Sequence, residues 1–247
     1  MRFALISPRL AVQKGDFLGS GVPYWPIELL TLASYLRSQG NDVSVYDLFS
    51  RDPKQLEELK DYYLQGVSVE RVIGDAGIAE CEIAVIFAIS YMSHEELLSI
   101  TRQLRRRYRD KTLLVLENTQ AVTSYSLQKV ATEYLESGIT GLVCGEAWLN
   151  WQEIIDYIGD GQDRPCNLVT QHEHIQGVKR LYSKSFKYPI PAWDLLQVEN
   201  YWSLPYSHGP KRRNYLPVLT SRGCPYPCTF CTIPELNSRQ WRGNSPS

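Results

Sequence analysis

The feature that most restricts the fold of this chain is a regular alternation of short apolar runs with amphipathic helical patterns. The runs are nearly continuous in apolar residues, which is typical of parallel strands covered on both faces. They lie at 3–6, 42–47, 83–89, 112–117 and 141–144. Such alternation favours an open, doubly wound, mostly parallel sheet with right-handed crossovers. The sequence therefore predicts a Rossmann-like α/β domain over residues 1–158.

The helical segments carry start and stop signals of their own. After Pro26, apolar residues recur at the i, i+3, i+4, i+7 spacing of one helix face, and Gly40 lies where a stop is expected. Ser93 and Glu96 have the spacing of a capping box for a later helix. We interpret the arginine run at 105–109, at the tail of that helix, as a solvated face rather than a phosphate or nucleic-acid site.

Open parallel sheets bind ligands at the carboxyl ends of their strands. In this chain those ends carry polar or glycine residues, and we expect a cofactor to contact five of them: Ser90, Tyr91, Glu117, Gly145 and Glu146. No G-x-G-x-x-G follows a strand and no G-x-x-x-x-G-K-[ST] is present. A dinucleotide site or a P-loop therefore has no direct support.

Composition and charge argue against two classes of partner. The net charge is −1 and the pI is about 6.4, which gives no basic footprint for nucleic acid. The longest apolar run, at 83–89, is far shorter than the ~20 residues that span a bilayer. The amino terminus is a poor secretory signal because Pro8 and Arg9 interrupt its apolar stretch. We expect a cytoplasmic protein without nucleic-acid or membrane partners, whose thiols stay reduced.

Between 159 and 214 the pattern loosens into a turn-rich connector. Short apolar pieces at 167–171 and 178–183 suggest a small hairpin. His172 and His174 would share one face of an extended segment. Without cysteine or carboxylate spacing nearby, we interpret them as surface histidines rather than metal ligands.

Three of the six cysteines, Cys224, Cys228 and Cys231, lie within eight residues of one another. Residues 215–223 predict a strand that leads into the loop carrying them. Three thiolates at gaps of three and two residues can surround one metal centre. An iron–sulfur cube would keep one iron open, whereas a structural zinc site needs a fourth protein ligand. A disulfide would leave one thiol over and is disfavoured in a reducing compartment. Spacing and compartment favour the cluster but leave zinc, or neither, as alternatives.

The segment SRGCPYPCTFC resembles the cluster loop of radical S-adenosylmethionine (SAM) enzymes. The resemblance implies that Cys224, Cys228 and Cys231 hold a [4Fe–4S] cluster whose open iron is chelated by SAM. It also implies that Phe230, the aromatic residue before the last cysteine, packs against the cofactor. In that family the reduced cluster cleaves SAM to generate a radical that acts on substrate.

The upstream sequence at 23–47, with the order of α/β domain, Gly145-Glu146 turn, PAWDLL connector and cysteine loop, resembles the cobalamin-binding branch of the same family. This resemblance implies cobalamin as a further cofactor, lying across the strand ends, and methyl transfer or radical rearrangement as the reaction. Two features depart from the pattern. D-x-H-x-x-G is absent, and 116–119 reads Leu-Glu-Asn-Thr where a pair of glycines is expected at the nucleotide tail.

The segment 215–247 would form only the start of a radical-SAM barrel, because a βα barrel typically takes ~200 or more residues. We therefore expect either a fragment or a chain that needs a partner chain to complete the barrel, and that is inactive alone. We also expect residues after 215 to be poorly supported unless something covers them. The leading hypothesis is an enzyme acting on an unknown small molecule. The alternatives are a non-catalytic corrinoid-binding module and a zinc-stabilised interaction protein.

Overall fold

The computed structural model describes residues 1–15, 24–120, 123–161, 163–183, 188–204 and 214–243. The strands and helices within these ranges, in chain order, are β1 (Arg2–Ser7), β2 (Leu10–Gln13), α1 (Ile27–Ser38), β3 (Asp42–Asp47), α2 (Leu48–Arg51), β4 (Leu56–Glu58), β5 (Tyr62–Gln65), α3 (Ala76–Ala79), β6 (Ile83–Ala88), α4 (His94–Arg107), β7 (Thr112–Glu117), α5 (Ala131–Glu136), β8 (Gly141–Val143), α6 (Trp151–Asp160), β9 (Leu168–Val169), α7 (Val198–Trp202), β10 (Ser221–Arg222), α8 (Ile233–Leu236) and β11 (Arg242–Gly243).

The central sheet has six strands in the order β3-β1-β6-β7-β8-β9. The first five are parallel, and β9 adds an antiparallel edge. The predicted α/β fold with a mostly parallel central sheet is confirmed, and it is compatible with a Rossmann-like fold. The runs at 42–47 and 112–117 coincide with β3 and β7. Strand order reverses between β1 and β6, and such a switch point is where open α/β sheets form a ligand crevice.

Alternate residues of each strand enter two separate cores, one on each face of the sheet. In β1, Ala4 and Ile6 face one core together with residues of α4 and α5. Phe3 and Leu5 face the other core, with residues of α1 and α6. A buried Leu, Ile or Phe contributes about 1.5–3 kcal/mol. Because helices cover both faces of the sheet, its strands must be apolar at nearly every position. This explains the near-continuous apolar runs of the sequence.

Two predicted details of α4 are wrong. The Ser93 side chain does not cap the helix, and the Glu96 carboxylate instead binds buried Arg9 at 2.6 and 2.9 Å. Arg105 is not solvated, because its Nε donates to the carbonyl oxygen of Gly138 at 2.6 Å and its Nη1 to that of Lys111 at 2.9 Å. Arg106 and Arg107 are exposed, as expected of a solvated face.

A small antiparallel sheet of β2, β5 and β4 lies beside the main sheet and was not predicted. Its strands have three or four residues and β4 is Leu-Glu-Glu, too short and too polar to show a strand period. Arg9 joins this small sheet to α4, because it binds Glu57 of β4 at 2.5 Å as well as Glu96 of α4.

The connector packs back onto the α/β domain. The Trp25 ring stacks on Tyr201 with centroids 4.0 Å apart, and the backbone N–H of Ala192 donates to the Leu30 carbonyl at 3.0 Å. The predicted hairpin at 167–183 is wrong, since β9 pairs with β8. His172–His174 forms a 3₁₀ turn rather than an extended segment, and His172 is exposed as expected of a surface residue. No helix among the described ranges is long and apolar enough to cross a bilayer.

Candidate functional site

The three clustered cysteines lie on a loop closed at its base by β10 and β11. Ser221 pairs with Gly243 and Arg222 with Arg242, and the Cys224 N–H donates to the Ser238 carbonyl at 3.1 Å. Gly223 has φ +77°, and a Cβ there would lie 2.0 Å from the carbonyl oxygen of Gln240. Only glycine fits this position, so the residue before Cys224 fixes the turn into the loop.

The predicted strand over 215–223 is wrong for most of its length, because only 221–222 forms β10. Pro217 has no backbone N–H to donate to a ladder, and a strand without a neighbour is not stable by itself. Residues 215–220 therefore run without regular structure towards the loop.

The thiols of the loop are free and reachable. Cys228 is exposed, Cys224 and Cys231 are half-buried, and none forms a disulfide. Cys228 and Cys231 line an open cleft together with Pro234, Glu235 and others of α8 and its flanks. Across the described part of the chain, no three His, Cys, Asp or Glu side chains are grouped closely enough to hold a metal ion. Three uncommitted thiols suit iron or zinc chemically, but the loop would have to gather them. Their role as metal ligands stays a prediction.

Arg222, two residues before the first cysteine of the loop, anchors this segment to the carboxyl edge of the sheet. Its side chain is completely buried, and its Nη2 donates to the Glu28 carboxylate of α1 at 2.7 Å. Its Nη1 donates to Thr119, after β7, at 3.1 Å, and its guanidinium lies over the Tyr188 ring at 4.3 Å. Burial alone would lower the pKa of Arg222, but Tyr188, Glu28 and Glu146 raise it. The guanidinium is therefore charged, and its partners lie on α1, the connector and the strand ends.

Glu146 lies after β8 and is also buried, with 1% of its surface exposed. Its Oε1 is 2.7 Å from Arg242 Nη1 and 3.3 Å from Arg222 Nη1. Arg242 Nη2 further donates to the side-chain oxygen of Asn237 at 2.6 Å, and Glu146 Oε2 accepts from the Ser183 N–H at 3.2 Å. One carboxylate thus contacts the arginines at both ends of the cysteine loop.

Glu117, at the end of β7, is wholly buried in a second charged cluster. Arg180 of the connector donates to both of its carboxylate oxygens, each at 2.8 Å. The N–H of Gly145 donates to Glu117 at 2.9 Å and that of Leu127 at 3.0 Å. Burial alone would lower the pKa of Arg180, but Glu117 raises it above its usual value. The ends of β7 and β8 are consequently covered by protein side chains.

The predicted cofactor contacts fall into separate groups. Glu117, Gly145 and Glu146 lie together but face protein partners, so a corrinoid would reach them only if the covering segments moved. As they stand these residues do not fit that cofactor. Tyr91 is exposed and Ser90 lies after β6, at the other side of the edge. Phe230 is 87% exposed on the cysteine loop, free to pack against a ligand. None of these contacts is tested, and they stay predictions.

A narrow pocket opens at the switch point between β1 and β6. It is lined by the strand-end residues Ser7, Asp47 and Ser90, with Tyr201 of the connector. Asp47 Oδ2 accepts from the Tyr201 hydroxyl at 2.7 Å, whereas Oδ1 has no hydrogen-bond partner. Burial raises the pKa of Asp47 from 3.8 to about 6, against the opposing hydrogen bonds of Tyr201 and Ser50. The pocket has room for a small polar group but not for a corrin ring.

Sequence reasoning missed the residues that build this edge. Arg222 and Arg242 were seen only as flanks of the cysteine motif, and Glu28 and Asp47 were not singled out. A charged residue in a helical pattern or at a strand end usually lies at the surface. The signal that was present is the pairing of carboxylates after β7 and β8 with arginines on both sides of the cysteines.

Comparison with known proteins gives limited matches. No family model matches the chain. A protein of Pyrococcus horikoshii named as an uncharacterised methyltransferase is 30% identical over 112 residues, covering 43% of this chain and 23% of that protein. The chain thus spans under a quarter of that relative. Among solved structures, the isolated REC domain of RcsB from Salmonella enterica serovar Typhimurium matches with a TM-score of 0.38 and 10% identity, over 66% of this chain and 91% of that one.

Proposed function

We propose that this chain carries the cluster loop of a radical SAM enzyme that transfers methyl groups. Cys224, Cys228 and Cys231 would hold a [4Fe–4S] cluster, with SAM on its open iron and Phe230 against the cofactor. The observation that supports this most is the fastening of a loop with three free thiols to the carboxyl edge of a parallel sheet. Ligands of α/β sheets bind at that edge, so cluster and ligand would lie side by side.

The chain's own residues would keep the thiols available without themselves reacting. Gly223 and the Cys224–Ser238 hydrogen bond hold the loop entrance, and the buried arginines hold its base. The thiols themselves have no disulfide, and Cys228 is exposed. When bound, the cluster would supply the electron that cleaves SAM. In the described part of the chain the three thiols are not grouped as a metal site, so the loop would have to bring them together around one centre.

Methyl transfer is supported by the P. horikoshii relative, whose name is that of a methyltransferase. The match covers less than half of this chain, so reaction and substrate both belong to the proposal.

Anaerobic reconstitution with ferrous iron and sulfide tests the proposal. We expect the wild-type chain to take up about four irons with a broad visible absorption band, and Cys228→Ala to lose both. Cys166→Ala is the matched control, because Cys166 is a free, half-buried cysteine outside the loop. SAM should then change the electron paramagnetic resonance spectrum of the reduced wild-type cluster. No iron in the wild type, or equal loss in both variants, would refute a cluster on this loop.

Two alternative functions have distinct signatures. Stoichiometric zinc in aerobically purified protein, with unfolding on chelation, would favour a structural zinc site. The pocket beside Asp47 favours a second candidate, a small-ligand module at the switch point. A corrinoid-binding module, which the pocket beside Asp47 cannot house as it stands, is tested separately by titration with hydroxocobalamin. Saturable binding that survives in Cys228→Ala would support that module over the cluster.

A further inference from the structure

One buried carboxylate closes both ends of the cysteine loop. Arg222 precedes the first cysteine by two residues and Arg242 follows the last by eleven. Both guanidiniums reach the same oxygen of Glu146, at 3.3 and 2.7 Å. Within the described residues, no other carboxylate pairs with both arginines. The two ends of the loop therefore meet at a single side chain of the α/β domain.

Two arginines and two carboxylates face one another around this point. Two guanidiniums, 0% and 4% exposed, face the carboxylates of Glu146 and Glu28. Loss of one carboxylate would leave two buried cations beside one anion. An uncompensated buried charge is strongly unfavourable, and the loop can relieve it by moving Arg242, on the short strand β11, out to solvent.

We propose that Glu146 is the positioning residue of the cysteine loop, and that it sets the loop geometry through Arg222 and Arg242 together. It touches no thiol and needs no contact with the cofactor. Its importance for cluster assembly rests on the proposed function, but its hold on the loop does not. The turn at Gly223 and the Cys224–Ser238 hydrogen bond would follow the arginines when they are released.

Glu146→Gln tests this, because it keeps the side-chain shape and removes the charge. In the metal-free protein we expect the Cys224 amide to exchange hydrogen about a hundredfold faster, as β10 and β11 separate locally. Alkylation of half-buried Cys224 should accelerate similarly, while that of exposed Cys228 should change little. The matched control is Glu96→Gln, which breaks a similarly buried carboxylate–arginine pair outside the loop and should leave Cys224 protected.

A second variant separates positioning from general stability. In Glu146→Gln/Arg242→Gln the charges of Arg222 and Glu28 again balance, but the ion pair that joined the closing end of the loop to residue 146 is gone. The free energy of unfolding should therefore recover most of what the single variant loses, whereas exchange at Cys224 should stay fast. Return of Cys224 protection in the double variant would show that charge imbalance rather than lost positioning released the loop, and would overturn the proposal, as would failure of both variants to fold. Unchanged exchange in the single variant would overturn it as well.

Measuring iron uptake together with Cys224 exchange separates the positioning role of Glu146 from the proposal that the loop binds a cluster. If the wild type takes up iron and Glu146→Gln loads it poorly with faster Cys224 exchange, both proposals gain support. If the wild type takes up no iron but the Cys224 amide still exchanges faster in Glu146→Gln, the positioning role of Glu146 is supported and the cluster proposal is refuted. If iron binds normally in both proteins and Cys224 stays protected, the positioning role is wrong.

Discussion

Replacing Asp47 by asparagine should change the pH dependence of stability in a defined direction. The Asp47 carboxyl is buried at the end of β3, with Oδ1 unpaired, and burial raises its pKa from 3.8 to about 6. The folded protein therefore binds a proton that the unfolded chain releases between those values. The stability contributed by the protonated carboxyl is complete below pH 3.8 and is lost as pH rises through about 6.

The size of the effect follows from the two pKa values. A difference between 3.8 and about 6 corresponds to about 3 kcal/mol. Asparagine cannot ionise, so the stability of Asp47→Asn relative to wild type should increase by up to about 3 kcal/mol between about pH 4 and about pH 7. A constant offset of about 1 kcal/mol is expected as well, because the new amide N–H₂ lacks an acceptor where Oδ1 lies now.

Urea unfolding followed by tryptophan fluorescence at a series of pH values measures this difference. Comparing variant with wild type at each pH cancels the titration of the other carboxyl groups. Tyr201→Phe is the second arm, since removing the 2.7 Å hydrogen bond to Asp47 should raise its pKa further and steepen the pH dependence of stability. A difference between Asp47→Asn and wild type that is flat with pH, or that falls as pH rises, would refute the reasoning.

Three further changes have expected outcomes. Gly223→Ala should destabilise the cysteine loop by at least about 1–2 kcal/mol, because φ is +77° and the new Cβ meets the Gln240 carbonyl; faster hydrogen exchange at Cys224 would show it, and unchanged exchange would contradict it. Arg180→Gln should lower the free energy of unfolding by about 3–5 kcal/mol, because Glu117 would lie buried without its cation; chemical denaturation gives the value, and a loss under about 1 kcal/mol would mean that the pair is not needed. Phe230→Ala should change the free energy of unfolding by no more than about 0.5 kcal/mol, because the ring is 87% exposed. Weaker SAM binding at unchanged iron content would support the predicted packing of Phe230 against the cofactor, and equal SAM binding would refute it.

The sheet could be predicted from the sequence because its signal is local and repeated. A strand buried on both faces must be apolar at nearly every position, and β6 and β7 meet that condition over almost their whole length. The small sheet of β2, β4 and β5 could not be predicted in the same way, since its strands are short and partly exposed. Arg9 connects it to Glu96 of α4 over a long stretch of sequence, and no local pattern encodes such a contact.

Residues after 215 were expected to be poorly supported unless something covers them, and the α/β domain covers part of this segment. A two-residue strand buries little apolar surface, so the expectation followed from the segment taken alone. Arg222 and Arg242 lie 2% and 6% exposed instead, because the α/β domain supplies carboxylates for both. Sequence reasoning gave these two arginines no partner, because their burial depends on carboxylates that are far away in the chain.

The structure gives a physical reason why 116–119 reads Leu-Glu-Asn-Thr and lacks the expected pair of glycines. Glycines there would leave space at the strand end, as the resemblance to cobalamin-binding domains implies. In this chain Glu117 binds Arg180, Thr119 binds Arg222, and the Thr119 carbonyl accepts from Asn237 at 2.9 Å. The larger side chains thus fill the end of β7 and connect it to the segment that carries the cysteines. Replacing them by glycine would remove the side-chain contacts of Glu117 and Thr119 along with the bulk, so opening this edge for a nucleotide tail should also loosen the cysteine loop.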